Sequence, residues 1–259
     1  MLFRSQGDQN IQRAIIKQLK QEGCEVLVPI GTTTSQMTLN LAKEKKVICL
    51  AADTSLVPSF AKVSATVLDD ALSVKESLSF LRAAFPEVRK VSVVFSSSEK
   101  VAKEVEAIEE VAKTLGIKVE KMLVHTMPEL YTISSFIAQD SEAIFILKDH
   151  LVVSGITTLM QQAEKRGIFV MTSDEGSVSL GGSFAIGIKE RVIGKEGATL
   201  AKTILQGVDP QEIPSKTIEG PFSLFINRSS CSKQGIDLLA LEQAAKQFAL
   251  RVEYVQEEG

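Results

Sequence analysis

The sequence predicts an α/β protein built from two lobes, each a doubly wound parallel sheet. Short, continuously apolar runs of strand length alternate with helical patterns along most of the chain. Because these runs are apolar on both faces, they are typical of parallel strands that helices cover on both sides. The 259 residues, 44% of them hydrophobic and 24% charged, suffice for one large or two modest domains with a sizeable core.

The predicted elements follow one another in a regular order. The first helix lies in "IQRAIIKQLKQEG", because Ile11, Ile15 and Leu19 share one face and Gly23 ends the pattern. The later strands are predicted in "CEVLVPI", "VICLAAD", "KVSVVF", "IKVEKMLV", "EAIFILK" and "IFVMTS". The later helices are predicted in "SQMTLNLAKEKK", "ALSVKESLSFLRAAF", "KVAKEVEAIEEVAKTLG", "MPELYTISSFIAQ", "LVVSGITTLMQQAEKRG" and "KERVIGKEGATLAKTILQG".

Three lapses in the alternation suggest where the chain crosses between lobes. They lie at Asp53 to Asp70, Gly181 to Gly187 and in "GVDPQEIPSKTIEG". The sequence therefore predicts one lobe from residues 1–68 plus about 182–207, and a second from 69–181 plus about 213–228. Residues 229–259 are predicted to be a helical extension that the pattern does not assign to either lobe.

Composition excludes several classes of function. The net charge is −3 and the basic residues are dispersed, so binding to nucleic acid has no electrostatic support. Cys24, Cys49 and Cys231 are odd in number, lack metal-ligand spacing and are expected to be buried free thiols. No metal site and no cofactor motif is predicted.

No apolar run reaches 18 residues, so no transmembrane helix is predicted. The opening stretch "MLFRSQGDQN" lacks the apolar core and cleavage site of a signal peptide. Taken as written, the chain is expected to stay in the cytoplasm.

Polar residues follow several predicted strands, in "GTTTSQ", "SSSEK", "KDH" and "TSDEGS". In open parallel sheets, ligands bind beyond the carboxyl ends of the strands, where helix N-termini favour anions. Hydroxyl groups at such ends, combined with one or two carboxylates, suit a zwitterion such as a free amino acid. Each turn taken alone is better explained as an ordinary helix N-cap, whereas three such turns at the same edge of one architecture favour a binding site.

An enzymatic function has little support. The two histidines are His125 and His150, and Ser97 with His150 and Asp174 could be drawn as a triad. The nucleophile elbow G-x-S-x-G and the phosphate loop G-x-x-x-x-G-K-[ST] are both absent, so we expect binding without chemistry.

Longer stretches carry a resemblance to a known family. They are "QGDQNIQRAIIKQL", "VLVPIGTTTSQ", "VKESLSFLRAAFPEVRKVSVVFSSSE", "AIFILKDHLV" and, most specifically, Asp174 through Pro214. In their order and spacing, from about residue 4 to residue 228, the sequence resembles solute-binding proteins of bacterial ABC transporters of the tryptophan/tyrosine type. The resemblance implies a type I periplasmic-binding fold, a solute trapped between lobes by hinge closure, and a membrane permease as partner. It also implies a periplasmic or extracellular, membrane-anchored location.

The resemblance also implies which residues contact the solute. The ligand-facing positions of the family map onto Thr32, Thr33, Ser35, Gln36, Ser97, Ser98, Glu99, Asp149 and Asp174. By this mapping Thr33 and Ser97 hold carboxylate oxygens of the solute. Asp174, with Asp149, holds its ammonium group.

The sequence departs from the family pattern in three respects. The export signal and the first strand and helix of the family are absent, which implies a first lobe that is incomplete at its N-terminus. His150 stands where the family usually has Asn, and Ser96 where it often has Asn. With no Trp in the chain, stacking on an aromatic solute falls to phenylalanines such as Phe95.

Two alternatives remain open at this point. The effector-binding core of a transcription regulator shares the two-lobe fold, but it needs a helix-turn-helix ahead of the core, for which residues 1–10 are too short. The other alternative is a degenerate homologue that no longer serves transport.

Overall fold

The computed structural model describes most of the chain as two compact units. Unit 1 consists of Met1–Ala71 and Lys189–Gly220, and unit 2 of Leu72–Ile188 and Pro221–Gly259. The described residues are 2–5, 8–56, 62–137 and 141–256, of which 99 and 100 are described for their backbone alone.

The elements that the sequence predicts appear in the predicted order, but the lapse at Asp53 to Asp70 also contains a strand, Ala65–Asp69, that was not predicted. The helices are α1 (Gln9–Gln21), α2 (Thr32–Leu41), α3 (Val74–Ala84), α4 (Glu99–Thr114), α5 (Met127–Ser135), α6 (His150–Ser154), α7 (Ile156–Arg166), α8 (Glu175–Ser179), α9 (Glu190–Leu205), α10 (Arg228–Lys233) and α11 (Leu238–Gln247). The strands are β1 (Val26–Leu27), β2 (Lys46–Leu50), β3 (Ala65–Asp69), β4 (Lys90–Ser96), β5 (Lys118–Val124), β6 (Ala143–Ile146), β7 (Phe169–Thr172), β8 (Phe184–Gly187), β9 (Lys216–Thr217), β10 (Ser223–Asn227) and β11 (Arg251–Val255).

Unit 1 is built on a parallel sheet of order β1-β2-β3-β9. Its central strands are buried on both faces, as their apolar runs predict, and Cys49 pairs with Val67 in the register of β2 and β3. Helix α9 closes on this sheet through Gly197, since a Cβ there would come within 2.5 Å of a methyl carbon of Leu50. The absence of a side chain at Gly197 allows this close approach.

Unit 2 is built on a larger sheet of order β11-β10-β8-β7-β6-β4-β5. Its pairs are parallel except that β8 and β10 run antiparallel. A cluster of phenylalanines forms part of its core, and the rings of Phe85 and Phe169 stack with their centroids 4.6 Å apart. The predicted fold class, parallel sheets covered by helices, is confirmed.

Some local predictions differ from the structure. The helix predicted across "LVVSGITTLMQQAEKRG" is broken into α6 and α7 at Gly155. The backbone passes close to α5 at this point, since a Cβ at Gly155 would lie 2.4 Å from a methyl carbon of Leu130. The lapse at Gly181 to Gly187 contains strand β8, which pairs with β7 and β10 and so lies in unit 2 rather than in the first lobe. Strand β9 pairs with β3 and lies in unit 1 rather than in the second lobe.

The closing segment 229–259 is more than the predicted helical extension. It contains α10 and α11 and also the strand β11, which pairs in parallel with β10 along its whole length. This pairing places the segment in unit 2. Two parallel neighbouring strands need a crossover connection, and α11 lies in the connection between β10 and β11.

Candidate functional site

Unit 2 has a topological switch point at β4. This strand pairs with β5 on one side and with β6 on the other, and all three strands run parallel. Because β6 and β7 are also parallel, the carboxyl ends of β4, β6 and β7 lie at one edge of the sheet. We call this edge, with the turns that follow the three strands, the carboxyl edge of unit 2. Ligands of open α/β sheets bind at such a position.

Asp149 joins the turns that follow β4 and β6. Its side chain is 3% exposed, and one carboxylate oxygen accepts from the backbone N–H of Ser96 at 2.5 Å. The other oxygen accepts from the N–H groups of Leu151 at 3.0 Å and Val152 at 3.4 Å, at the start of α6. The carboxylate therefore fixes the two turns to each other while capping the helix.

A second pair of contacts brings the turn after β7 to the same edge. The hydroxyl of Ser173 donates to the carbonyl of Ile146, at the end of β6, at 2.8 Å. Asp174 caps α8, because its carboxylate accepts from the backbone N–H and from the hydroxyl of Ser177, each at 2.8 Å. In contrast to Asp149, the side chain of Asp174 is partly exposed.

The turn after β4 leaves a long helix without a side-chain cap. Ser98 occupies the N-cap position of α4 with extended backbone angles, yet its side chain makes no capping bond. Ser97 and Ser98 are both exposed, and the side chain of Glu99 lies outside the described residues. The first N–H groups of α4 therefore have no side-chain acceptor within their own cap.

Unit 1 carries the remaining predicted residues at the start of α2. Gly31 occupies the N-cap position of α2 at φ 89°, a conformation that favours glycine. Because glycine has no side chain, this helix begins without a side-chain cap. The hydroxyl of Thr32 accepts from the N–H of Asp53 at 3.2 Å, so the turn after β1 meets the turn after β2. Thr33 and Gln36 are exposed on the same helix.

Ser35 lies in the core of unit 1, unlike its neighbours. Its side chain is fully buried and lies beside the thiol of Cys49. Burial raises the pKa of Cys49 to about 11, an effect that the Ser35 hydroxyl partly opposes. In this position Ser35 packs α2 onto β2 and does not present its hydroxyl to solvent.

The two predicted anion sites lie at helix starts without side-chain caps, a property that they share with α7 and α9. Asp8, Ser73, Thr126, Asn227 and Asp237 each cap a helix in the same way as the two aspartates above. No side-chain cap is present at α2, α4, α7 and α9. The helices α2 and α4 are those that follow "GTTTSQ" and "SSSEK", where an ordinary N-cap was the competing explanation.

Within unit 2 the structure thus brings Ser97, Ser98, Asp149 and Asp174 to one edge of the sheet. Within unit 1 it groups Thr32, Thr33 and Gln36 and buries Ser35. Sequence reasoning missed Asp53, although "VICLAAD" shows an acid at the end of a buried run, which is the same signal as at the other turns.

Other kinds of site find no support among the described residues. Within the described ranges, no group of three or more His, Cys, Asp or Glu side chains is placed to hold a metal ion. The described helices include none with both the length and the apolar composition to span a bilayer. Cys49 and Cys231 are buried and Cys24 is half-buried, and all three are free thiols, which confirms that expectation except for the partial exposure of Cys24.

The fold, with two α/β units, is shared by solved structures. The chain aligns with an ABC domain from Streptococcus pneumonia, solved in complex with L-Trp, at a TM-score of 0.82 and 22% identity, covering 97% of this chain and 86% of that one. Identity at this level shows the fold alone. It confirms the predicted periplasmic-binding architecture.

Sequence similarity defines the family. The sequence pattern of the ABC transporter substrate binding proteins matches residues 2–247, and the chain belongs to this family. An uncharacterized protein of Rickettsia prowazekii (strain Madrid E) is 36% identical over 236 residues, 91% of this chain and 75% of that protein. A tyrosine-binding protein of Clostridioides difficile (strain R20291) is 25% identical over 222 residues, 83% of this chain and 64% of that protein.

Proposed function

We propose that the chain is the substrate-binding component of an ABC importer and that it binds an amino acid or a similar small zwitterion. The observation that carries the proposal is the family match over residues 2–247. Two similar proteins point to the same class of solute, since one was solved with L-Trp and the other is a tyrosine-binding protein. From the family we further propose that the protein acts outside the cytoplasm, held at the membrane beside a permease.

The start of α4 is the proposed subsite for the solute's carboxylate. Its first N–H groups lack a side-chain cap, and the hydroxyls of Ser97 and Ser98 are exposed beside them. A helix N-terminus favours an anion through its free donors and its dipole. Thr33, at the equally uncapped start of α2, is proposed as a further contact of the solute.

Asp174 is the proposed partner of the ammonium group. Each of its oxygens accepts one hydrogen bond from Ser177, and a carboxylate has about four acceptor positions in all. Its partial exposure leaves room for an incoming cation. Asp149 already accepts three backbone N–H groups and is buried, so we assign it the role of holding the turns in place rather than that of a direct contact.

Binding selects a conformation rather than performing chemistry. A solute that interacts more strongly with one conformation of the protein raises the population of that conformation. The permease then distinguishes loaded from empty protein by that conformation.

A ligand screen tests the proposal directly. Thermal-shift measurements with the twenty amino acids, with simple purines and with short peptides as comparison sets, should show stabilisation by one or a few amino acids. Bound ligand stabilises the folded state by mass action, by about 2.7 kcal/mol at a concentration 100 times Kd. Stabilisation by none of the amino acids would refute the proposed class of solute.

Calorimetry with variants then tests the individual roles. Asp174→Ala should weaken binding of the identified amino acid by about 2 kcal/mol or more, because the bound ammonium loses its charged partner in a pair that the solute shields from water. Asp237→Ala is the matched control: Asp237 also caps a helix of unit 2, but at the opposite edge of the sheet. Equal affinity of the Asp174 and Asp237 variants would exclude the ammonium role.

The effector-binding core of a regulator and the non-transporting homologue remain the alternatives. Uptake of the identified amino acid by cells that lack the gene separates them. Loss of uptake on deletion, restored by the intact gene but not by the Asp174→Ala gene, supports the importer.

A further inference from the structure

A separate pocket lies at the edge of the unit 2 sheet opposite to the carboxyl edge. Strands β10 and β11 run antiparallel to β8, so their carboxyl ends point away from the turns that follow β4, β6 and β7. The pocket at these ends has a volume of about 370 Å³ and is lined by Asn227, Arg228, Ser229, Tyr254, Val255 and Gln256. It lies within unit 2 and shares no residue with the proposed solute site.

A stacked pair of side chains forms one wall of this pocket. The guanidinium carbon of Arg228 lies 3.7 Å from the centroid of the Tyr254 ring. The phenol of Tyr254 donates in turn to the carboxylate of Glu242 on α11, which fixes the ring beneath the guanidinium. Stacking on an aromatic face orients an arginine and leaves its planar N–H groups free at the rim.

Arg228 has no anionic partner of its own in the described part of the chain. None of the ion pairs among those residues includes it, although the side chain is exposed. Ser229 and Gln256 add exposed polar groups to the lining, and Val255 adds an apolar one that packs against the core at Phe225. The pocket therefore combines an oriented cation, without an ion-pair partner among the described residues, with hydrogen-bonding groups and apolar surface.

Asn227 holds the arginine in place. It is 1% exposed, its amide oxygen caps α10 at the N–H of Ser230, and its amide nitrogen donates to the carbonyl of Val178. The backbone that carries Arg228 is thus anchored to α8 as well as to β10. The wall of the pocket is built before any ligand arrives.

We propose that this pocket is a second binding site, one that takes a small organic anion carrying a carboxylate or a phosphate group. A guanidinium presents two parallel N–H donors that match either group in a bidentate arrangement. The volume lies within the range of small-ligand pockets, about 300–1,000 Å³. Tyr254 and Val255 provide surface for a ring or short chain attached to the anionic group.

NMR titration of the full chain with sodium benzoate and, separately, with inorganic phosphate tests this site. We expect at least one probe to shift the Arg228 side-chain Nε–Hε signal and the Tyr254 signals in a saturable way, while sodium chloride at equal ionic strength does not. Saturation by benzoate alone identifies a carboxylate site with an apolar subsite, and saturation by phosphate identifies a phosphate site. Failure of both probes to saturate would overturn the proposal.

Variants test whether Arg228 is responsible. Arg228→Gln should abolish saturation. Arg228→Lys should weaken the affinity for the probe by about tenfold or more, because a lysine keeps the positive charge but lacks the two parallel N–H donors of a guanidinium. Arg251→Gln is the matched control, since Arg251 is an exposed arginine on β11 that does not line the pocket. Unchanged titration of Arg228→Gln would overturn the site, and equal binding by Arg228→Lys would overturn the bidentate geometry.

Discussion

Replacing Asp149 with alanine should destabilise the free protein strongly, before any ligand is considered. The change removes the cap of α6, worth about 1 kcal/mol. It also removes a charge-assisted bond to the N–H of Ser96, worth about 1.5–3 kcal/mol. The sum predicts a loss of about 2.5–4 kcal/mol in the free energy of unfolding of unit 2.

Two comparison variants separate these contributions. Asp149→Asn keeps an oxygen that caps the helix. It places either an amide NH2 group or a neutral and weaker acceptor oxygen beside the N–H of Ser96, so the free energy of unfolding should fall by about 1.5–3 kcal/mol. Asp237→Ala removes a cap alone and should lose about 1 kcal/mol.

Local and global measurements are both needed, because a chain of two units need not unfold in a single step. Urea unfolding followed by far-UV circular dichroism gives the global change. Native-state hydrogen exchange of the Ser96, Leu151 and Val152 amides reports the three bonds individually. Unfolding of Asp149→Ala that matches Asp237→Ala, with unchanged exchange at Ser96, would refute the structural role assigned to Asp149.

Further predictions concern packing and thiol chemistry. Gly155→Ala should destabilise the protein by about 1–3 kcal/mol in urea unfolding through its clash with Leu130, and a neutral result would contradict the close approach. Gly194→Ala, in an open stretch of α9, should instead stabilise it by about 0.5–1 kcal/mol. Burial raises the pKa of the Cys231 thiol to about 12 and restricts access of reagents to it. Iodoacetamide at pH 8 should therefore modify Cys24 alone in the native protein, as measured by mass spectrometry. Rapid labelling of Cys231 in the native protein would contradict its burial.

Much of the fold follows from the alternation of strand and helix patterns, because buried parallel strands carry a strong and continuous apolar signal. The pattern fails where contacts from distant residues decide. Gly155 reads as a tolerable residue within one long helix, and the close approach of Leu130 to Gly155 is not visible in the local sequence. Strand β8 lies between glycines in "GGSFAIG", a stretch whose sequence is consistent with either a β-edge or a hinge and does not show which strands it pairs with.

The predicted site shows the same division between local and distant information. The strand ends that carry polar residues were evident from the sequence. Ser35 could have been separated from Thr33, because Ser35 lies four residues before the buried Leu39 and therefore on the same face of α2. By contrast, the bond from Asp149 to Ser96 joins residues 53 positions apart in the chain, and no spacing rule predicts it.

Unit 1 is assembled from two stretches of chain that the ribosome makes at different times. Strand β3 is synthesised before its neighbour β9, so this pair forms only after β9 has been made. In the same way, Leu50 is synthesised before the helix that carries Gly197 and packs against it. The early stretch therefore emerges with part of its apolar surface uncovered while the first part of unit 2 is still being synthesised. Maturation of this half is thus expected to depend on translation of residues 189–220, and nascent chains arrested before that point should be held by chaperones longer than those arrested after it.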